Sequence, residues 1–152
     1  IHYDVFINNA FDGPPDTEWA NYAQVNLLQA VYKRWKELGK VGWIFNIGSV
    51  SEKAIVAPEP EFETYRVSKA ALAHASKQCT QAYKEGLVKF KTTLITPDRL
   101  DTPLSRSRDS WTGSAVDCSD IADFINWCIT IRDATVIEEI SLFANLNDSD
   151  NI

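Results

Sequence analysis

The chain has 152 residues and no methionine, even at its first position. It opens abruptly at Ile1-His2-Tyr3-Asp4, on the threshold of an apolar run, so a processed, cut or incompletely sequenced chain is expected. Histidine is scarce. His2 and His74 lie far apart, no metal-ligand spacing appears, and His74 is expected on a helix surface or in packing. The three cysteines, Cys79, Cys118 and Cys128, form no Cys-x-x-Cys pair. An odd number of cysteines in a chain without a visible secretory signal predicts reduced, buried thiols in a cytoplasmic protein. No basic segment leads into an apolar stretch, so no such signal is read. No apolar run approaches the roughly 20 residues of a membrane-spanning helix. Lysine and arginine number 15 against 21 aspartates and glutamates, a net charge of −6, and the bases are scattered. That argues against a nucleic-acid partner, whose footprint is a basic patch.

What is present suits one globular domain over residues 1–152. Val5-Phe6-Ile7 is a short apolar run ended by Asn8-Asn9-Ala10 and reads as a buried strand. Asp12-Gly13-Pro14-Pro15 marks a loop, and Asp16 or Thr17 can cap a helix to about Leu38, stopped by Gly39. Val41 to Ile47 reads as a second buried strand, broken at Gly48-Ser49. A long helix is expected from about Glu63 to Lys84, stopped by Gly86, and a strand from Phe90 to Ile95, closed by Thr96-Pro97. Residues 97–116 lack periodicity and read as a long loop with one helical turn at most, of the kind that is either a functional lid or disordered. Ser119 caps a helix to about Ile131, and Glu139 to Phe143 forms a last strand.

Strands alternate with helices, and the inner strands are apolar throughout. This pattern predicts a mainly parallel sheet with helices on both faces. Right-handed crossovers then align the carboxyl ends of the strands along one edge, where such sheets bind ligands. Asn8-Asn9-Ala10, Gly48-Ser49 and Thr96-Pro97 all follow strand ends and should converge there. Tyr65 and Lys69 stand four residues apart, on one face of their helix. An ammonium near a phenol favours the phenolate, which suits proton exchange with a substrate oxygen. The spacing is common, and its ordinary meaning is two residues on a half-exposed helix. Its surroundings give it more weight.

In order along the chain, these segments resemble the short-chain dehydrogenase/reductase family. Asp4 to Ala10 is similar to the family's strand ending in Asn-Asn-Ala-Gly, with Phe11 in place of the glycine. Val25-Asn26 resembles the Val-Asn of the next helix. Phe45-Asn46-Ile47-Gly48-Ser49 resembles the strand end Asn-Ile-Ser-Ser, with Gly48 replacing the first serine. Tyr65 and Lys69 match Tyr-x-x-x-Lys, and Ile95 to Thr102 resembles the Pro-Gly stretch and its following threonine, with Asp98 in place of the glycine. The loop from Ser49 to Tyr65 is longer than usual, which makes Ser51 a minor rival to Ser49.

The resemblance implies a three-layer α/β/α Rossmann-type fold, truncated at its amino terminus. It implies an oxidoreductase that uses NAD or NADP and acts on a small carbonyl or alcohol substrate. It casts Tyr65 as general acid or base and Lys69 as the cation beside it, holding the nicotinamide ribose. Ser49 would bind the substrate oxygen, and Asn26 would support a water relaying protons to Lys69. Asn8, Ala10 and Pro97 would line the cofactor with Tyr65 and Lys69, and Thr102 would contact the carboxamide. A dimer or tetramer is implied. None of the six glycines forms the Gly-x-x-x-Gly-x-Gly turn that holds the pyrophosphate in this family. The Val5–Ile7 strand should therefore lie at an open edge that invites pairing. A non-catalytic or truncated descendant, acting as a binding or structural subunit or left as a fragment without independent function, is the competing expectation.

Overall fold

The computed structural model describes residues 3–9, 18–131 and 134–145, with side chains from residue 22 onward in the second segment. Four strands form one sheet: β1 (Asp4–Asn8), β2 (Gly42–Ile47), β3 (Phe90–Pro97) and β4 (Glu139–Leu142). Their order is β1-β2-β3-β4 and every pairing is parallel. The helices are α1 (Glu18–Glu37), α2 (Thr64–Lys84), the short α3 (Pro103–Arg106) and α4 (Cys118–Thr130), with a 3-10 turn at Val50–Lys53.

The alternation of side chains explains the layering. Ile44, Phe90 and Val88 pack with Leu28 of α1 and Leu72, Cys79 and Ala82 of α2. Trp43, Phe45, Ile47 and Ile95 point the other way and pack under Ile121, Ile125 and Cys128 of α4. Strands β2 and β3 are buried along their whole lengths, as a parallel sheet covered on both faces requires. On α1, Leu28, Val31, Tyr32 and Trp35 fall on one face at helical spacing, and the Tyr32 and Trp35 rings meet Phe90 edge-on. On α2, Leu72 and Ala75 belong to the core, whereas Val67 is 44% exposed.

Gly39 and Gly86 end α1 and α2 with φ of 60° and 73°, where the absence of a Cβ removes the steric cost. The last long helix is capped two residues earlier than Ser119, by Asp117, whose carboxylate accepts from the Ser119 amide at 2.8 Å. Strand β3 continues through Thr96 and Pro97 because β4 pairs alongside them, up to Pro97 and Leu142. The segment after it holds a single helical turn and closes on itself through the Leu100–Val116 bridge and an Arg106–Asp101 ion pair.

Strand β1 lies at the sheet edge, with Val5 and Ile7 40% and 49% exposed. It approaches β2 closely at Gly42: a Cβ there would stand 2.2 Å from the Asp4 carbonyl oxygen and 3.1 Å from the Trp35 ring. We predict that Gly42→Ala destabilises the fold by about 1–3 kcal/mol, read as a lower urea midpoint. An unchanged midpoint would mean that β1 yields without cost.

Candidate functional site

The carboxyl ends of β1 and β2 meet α1 and α2 in one buried polar knot. Asn8 and Asn46, adjacent in the β1–β2 register, are fully buried. The Asn8 amide donates to Asn46 Oδ1 at 2.9 Å and to the Gln24 carbonyl of α1 at 2.9 Å. The Asn46 amide in turn donates to Ser76 Oγ of α2 at 3.1 Å. Gln24 Nε2 donates to the carbonyl of Asn8 at 2.9 Å and to that of Ile47 at 3.0 Å. These carbonyls lie at strand ends, where the sheet's own ladder no longer supplies donors, so side chains satisfy them.

Lys69 enters this knot from α2. It is 6% exposed, and its Nζ donates to Gln24 Oε1 at 2.6 Å and to the Ile47 carbonyl at 3.2 Å. Its Nζ also lies 5.7 Å from the centre of the Tyr65 ring. Burial disfavours the ammonium and pulls the Lys69 pKa down from 10.5 to about 8. Tyr65 is half-buried one helical turn before Lys69, and Ser68 Oγ donates to its carbonyl at 2.7 Å. Ser49 follows β2 directly. It caps the 3-10 turn, its Oγ accepting from the Ser51 amide at 3.2 Å. The hydroxyl keeps its own proton for donation. The same turn packs against α2, the helix that carries Tyr65.

Asn26 lies elsewhere. It is exposed on α1, and the α1 side chain that meets Lys69 is Gln24. Two residues along a helix turn the side chain by about 200°, so Gln24 and Asn26 cannot face the same neighbour. The apolar stripe Leu28, Val31, Tyr32 and Trp35, extended back one turn, reaches Gln24 and would have identified it. Pro97 is buried at the end of β3. Thr102 caps α3, with its Oγ1 3.1 Å from both the amide and the Oγ of Ser105. Asp98 is half-buried, and its amide donates to the Leu142 carbonyl at 2.8 Å. Ala10 lies outside the described residues, as does Phe11. Asn8 Oδ1 has no partner among the described residues. On the α4 side of the same strand ends lies a largely apolar cavity of about 310 Å³, lined by Ile7, Asn9, Ile47, Leu100, Ile121 and Ile125 among others. Ser49, Tyr65 and Lys69 do not line it.

No family model and no curated protein matches the sequence. Solved structures do match. A 4-hydroxyisoleucine dehydrogenase complexed with NADH aligns with a TM-score of 0.68 at 23% identity, over 95% of this chain and 69% of its own. An acetoin dehydrogenase from Salmonella typhimurium gives 0.67 at 19% identity, over 93% and 66%. A β-ketoacyl-[ACP] reductase from Bacteroides thetaiotaomicron gives 0.66 at 18% identity, over 98% and 64%. The chain thus spans about two thirds of the length of these proteins. Its fold is the Rossmann-type arrangement found in short-chain dehydrogenases and reductases.

The depressed pKa of Lys69 makes stability depend on pH. Below pH 8 the side chain is charged in both folded and unfolded chains, and its burial costs stability in full. Between pH 8 and 10.5 the unfolded chain binds the proton that the folded one has released, so stability rises with pH. The difference corresponds to about 3 kcal/mol. We expect the unfolding free energy of the wild type, relative to Lys69→Met, to rise by about that amount across this window. Parallel curves for the two proteins would contradict the burial of a charged Lys69.

Proposed function

We propose that this chain is the catalytic part of a short-chain dehydrogenase/reductase, an NAD- or NADP-dependent oxidoreductase acting on a small carbonyl or alcohol compound. The observation that carries this reading is the buried Lys69 ammonium beside Tyr65, at the convergence of two parallel strand ends. The printed descriptions of the similar structures agree with it in kind: a dehydrogenase complexed with NADH, an acetoin dehydrogenase and a reductase.

The donor set fits the nicotinamide ribose. Lys69 supplies an ammonium and Tyr65 a phenol beside it, at the sheet edge where such ligands lie. The adenosine end has no counterpart here, since no glycine-rich turn occurs in the sequence. Asn8 and Pro97 lie at the ends of β1 and β3, and we assign them to the cofactor's rim together with Ala10 and Thr102.

A nicotinamide cofactor, when bound, supplies or accepts the hydride. The residues of this chain handle the proton and the charge. On reduction, the Tyr65 hydroxyl gives its proton to the carbonyl oxygen as that oxygen gains negative charge. On oxidation, the phenolate takes the proton back. Ser49 donates a hydrogen bond to the same oxygen and stabilises its charge in the transition state. Lys69 places its ammonium 5.7 Å from the centre of the Tyr65 ring, beside the group that moves the proton. A cytoplasmic homodimer or tetramer suits this reading, and Val67 and Leu27 offer exposed apolar groups on the two long helices.

A second reading is favoured by Asp98 and Thr102. A carboxylate stands where the resemblance expects a glycine, and the Thr102 hydroxyl is engaged as a helix cap. On that reading the chain is a non-catalytic binding or structural subunit. Activity separates the two. With cofactor supplied at concentrations high enough to offset weak binding, the protein should catalyse NAD(P)-dependent oxidation within a panel of secondary alcohols that includes acetoin. Tyr65→Phe should lower the rate by about 10²–10⁴-fold without loss of folding. Full activity in Tyr65→Phe would refute the mechanism, and no activity in the wild type across the panel would favour the second reading.

A further inference from the structure

Gln24 belongs to none of the motifs that carry the resemblance, yet it holds the centre of the polar knot. It is 4% exposed, and its side-chain amide is fully committed. Nε2 gives one hydrogen to the Asn8 carbonyl and one to the Ile47 carbonyl. Both partners can only accept, so the amide nitrogen must face them. Oε1 is thereby aimed at Lys69, whose Nζ lies 2.6 Å away. The Ile47 carbonyl is shared, accepting from Gln24 and from Lys69 at once. The amide therefore joins the last residues of β1 and β2 to the ammonium of α2.

We propose that Gln24 is the positioning residue for Lys69, its side-chain amide taking by direct contact the place that the resemblance gives to a water supported by Asn26. This rests on the reading of Lys69 as the cation of an oxidoreductase site. Three features of the contact matter. It is rigid, because each polar atom of the amide has a fixed partner. It adds no charge of its own, because α1 presents an amide and β2 a carbonyl to the ammonium, with the Tyr65 ring of α2 beside it. It is also length-specific. An asparagine at 24 is shorter by one carbon–carbon bond, about 1.5 Å, and leaves room for the water that the direct contact replaces. A glutamine on the core-facing stripe of α1 thus fixes where the positive charge sits and how readily the site loses it.

The test reads Lys69 itself and requires no substrate or cofactor. In protein labelled with ¹³C-lysine, the titration midpoint of Lys69 is followed by NMR in the wild type and in variants. Gln24→Met removes the acceptor and should lower the midpoint by about one unit, tenfold in proton affinity. Gln24→Glu adds a negative charge at nearly the same volume and should raise it by a similar amount. Asn26→Ala should leave the midpoint unchanged. Shifts of opposite sign at position 24 separate positioning from a general loosening of the fold, which would move both variants the same way. Where one variant at position 24 does not fold, the sign of the other's shift decides. A midpoint that responds to Asn26→Ala, or that ignores the folded variants at Gln24, would overturn the proposal. Loss of the oxidoreductase reading through an active Tyr65→Phe enzyme would leave this titration unaffected, so the two failures are distinguishable.

Discussion

A buried lysine ammonium, held by an amide and a strand-end carbonyl, is the constraint around which this molecule is arranged. Lys69 is 6% exposed, and its Nζ donates to the Gln24 side-chain amide and to the Ile47 backbone carbonyl. Keeping a cation there costs stability, which its pKa of about 8 expresses. Buried charge of this kind is retained where function needs it more often than where stability does. Four elements must close together for the site to exist: β1 and β2 supply carbonyls, α1 supplies Gln24 and α2 supplies the lysine.

The polar knot sits at the end of the sheet, outside the apolar core. The core proper is divided by the sheet into two clusters, one under α1 and α2 and one under α4. Both are built from residues that alternate along β2, so one strand anchors the two layers. At its carboxyl end the alternation gives way to Asn46, whose amide and carbonyl oxygen bridge β1 and α2. Packing therefore fixes the strand positions, and the asparagines convert those positions into a defined geometry for Lys69. The adjacent cavity lies across the strand ends from this knot and is walled largely by aliphatic side chains.

Much of this was legible in the sequence, for identifiable reasons. Parallel strands write continuous apolar runs, so Val5–Ile7 and Val41–Ile47 were readable as strands to within a residue or so, although only the second is buried and Val5 and Ile7 are exposed at the sheet edge. Gly39 and Gly86 mark helix ends because only glycine takes their φ without strain. The pairing of Tyr65 with Lys69 follows from helical periodicity alone. Gln24 was not legible from motif spacing, because that spacing pointed to Asn26, which the phase of α1 turns toward solvent. The length of β3 was underestimated, since the pairing of Thr96 and Pro97 depends on a strand more than 40 residues away. Pairing partners at that separation leave no local pattern.

A nicotinamide nucleotide has one end that residues of this chain can address and one for which these residues form no binding turn. Lys69, Tyr65 and Ser49 address the nicotinamide end and the substrate oxygen, while nothing in the sequence forms the turn that grips a pyrophosphate. The most direct measurement compares binding of NADH with binding of reduced nicotinamide mononucleotide to this polypeptide, with amide shifts read at Ile47, Ser49 and Lys69. The account predicts weak binding of both, with affinities within about threefold, a difference of under 1 kcal/mol, and the same residues shifted by each. Tight binding of NADH alone, or shifts confined to residues away from this knot, would contradict it.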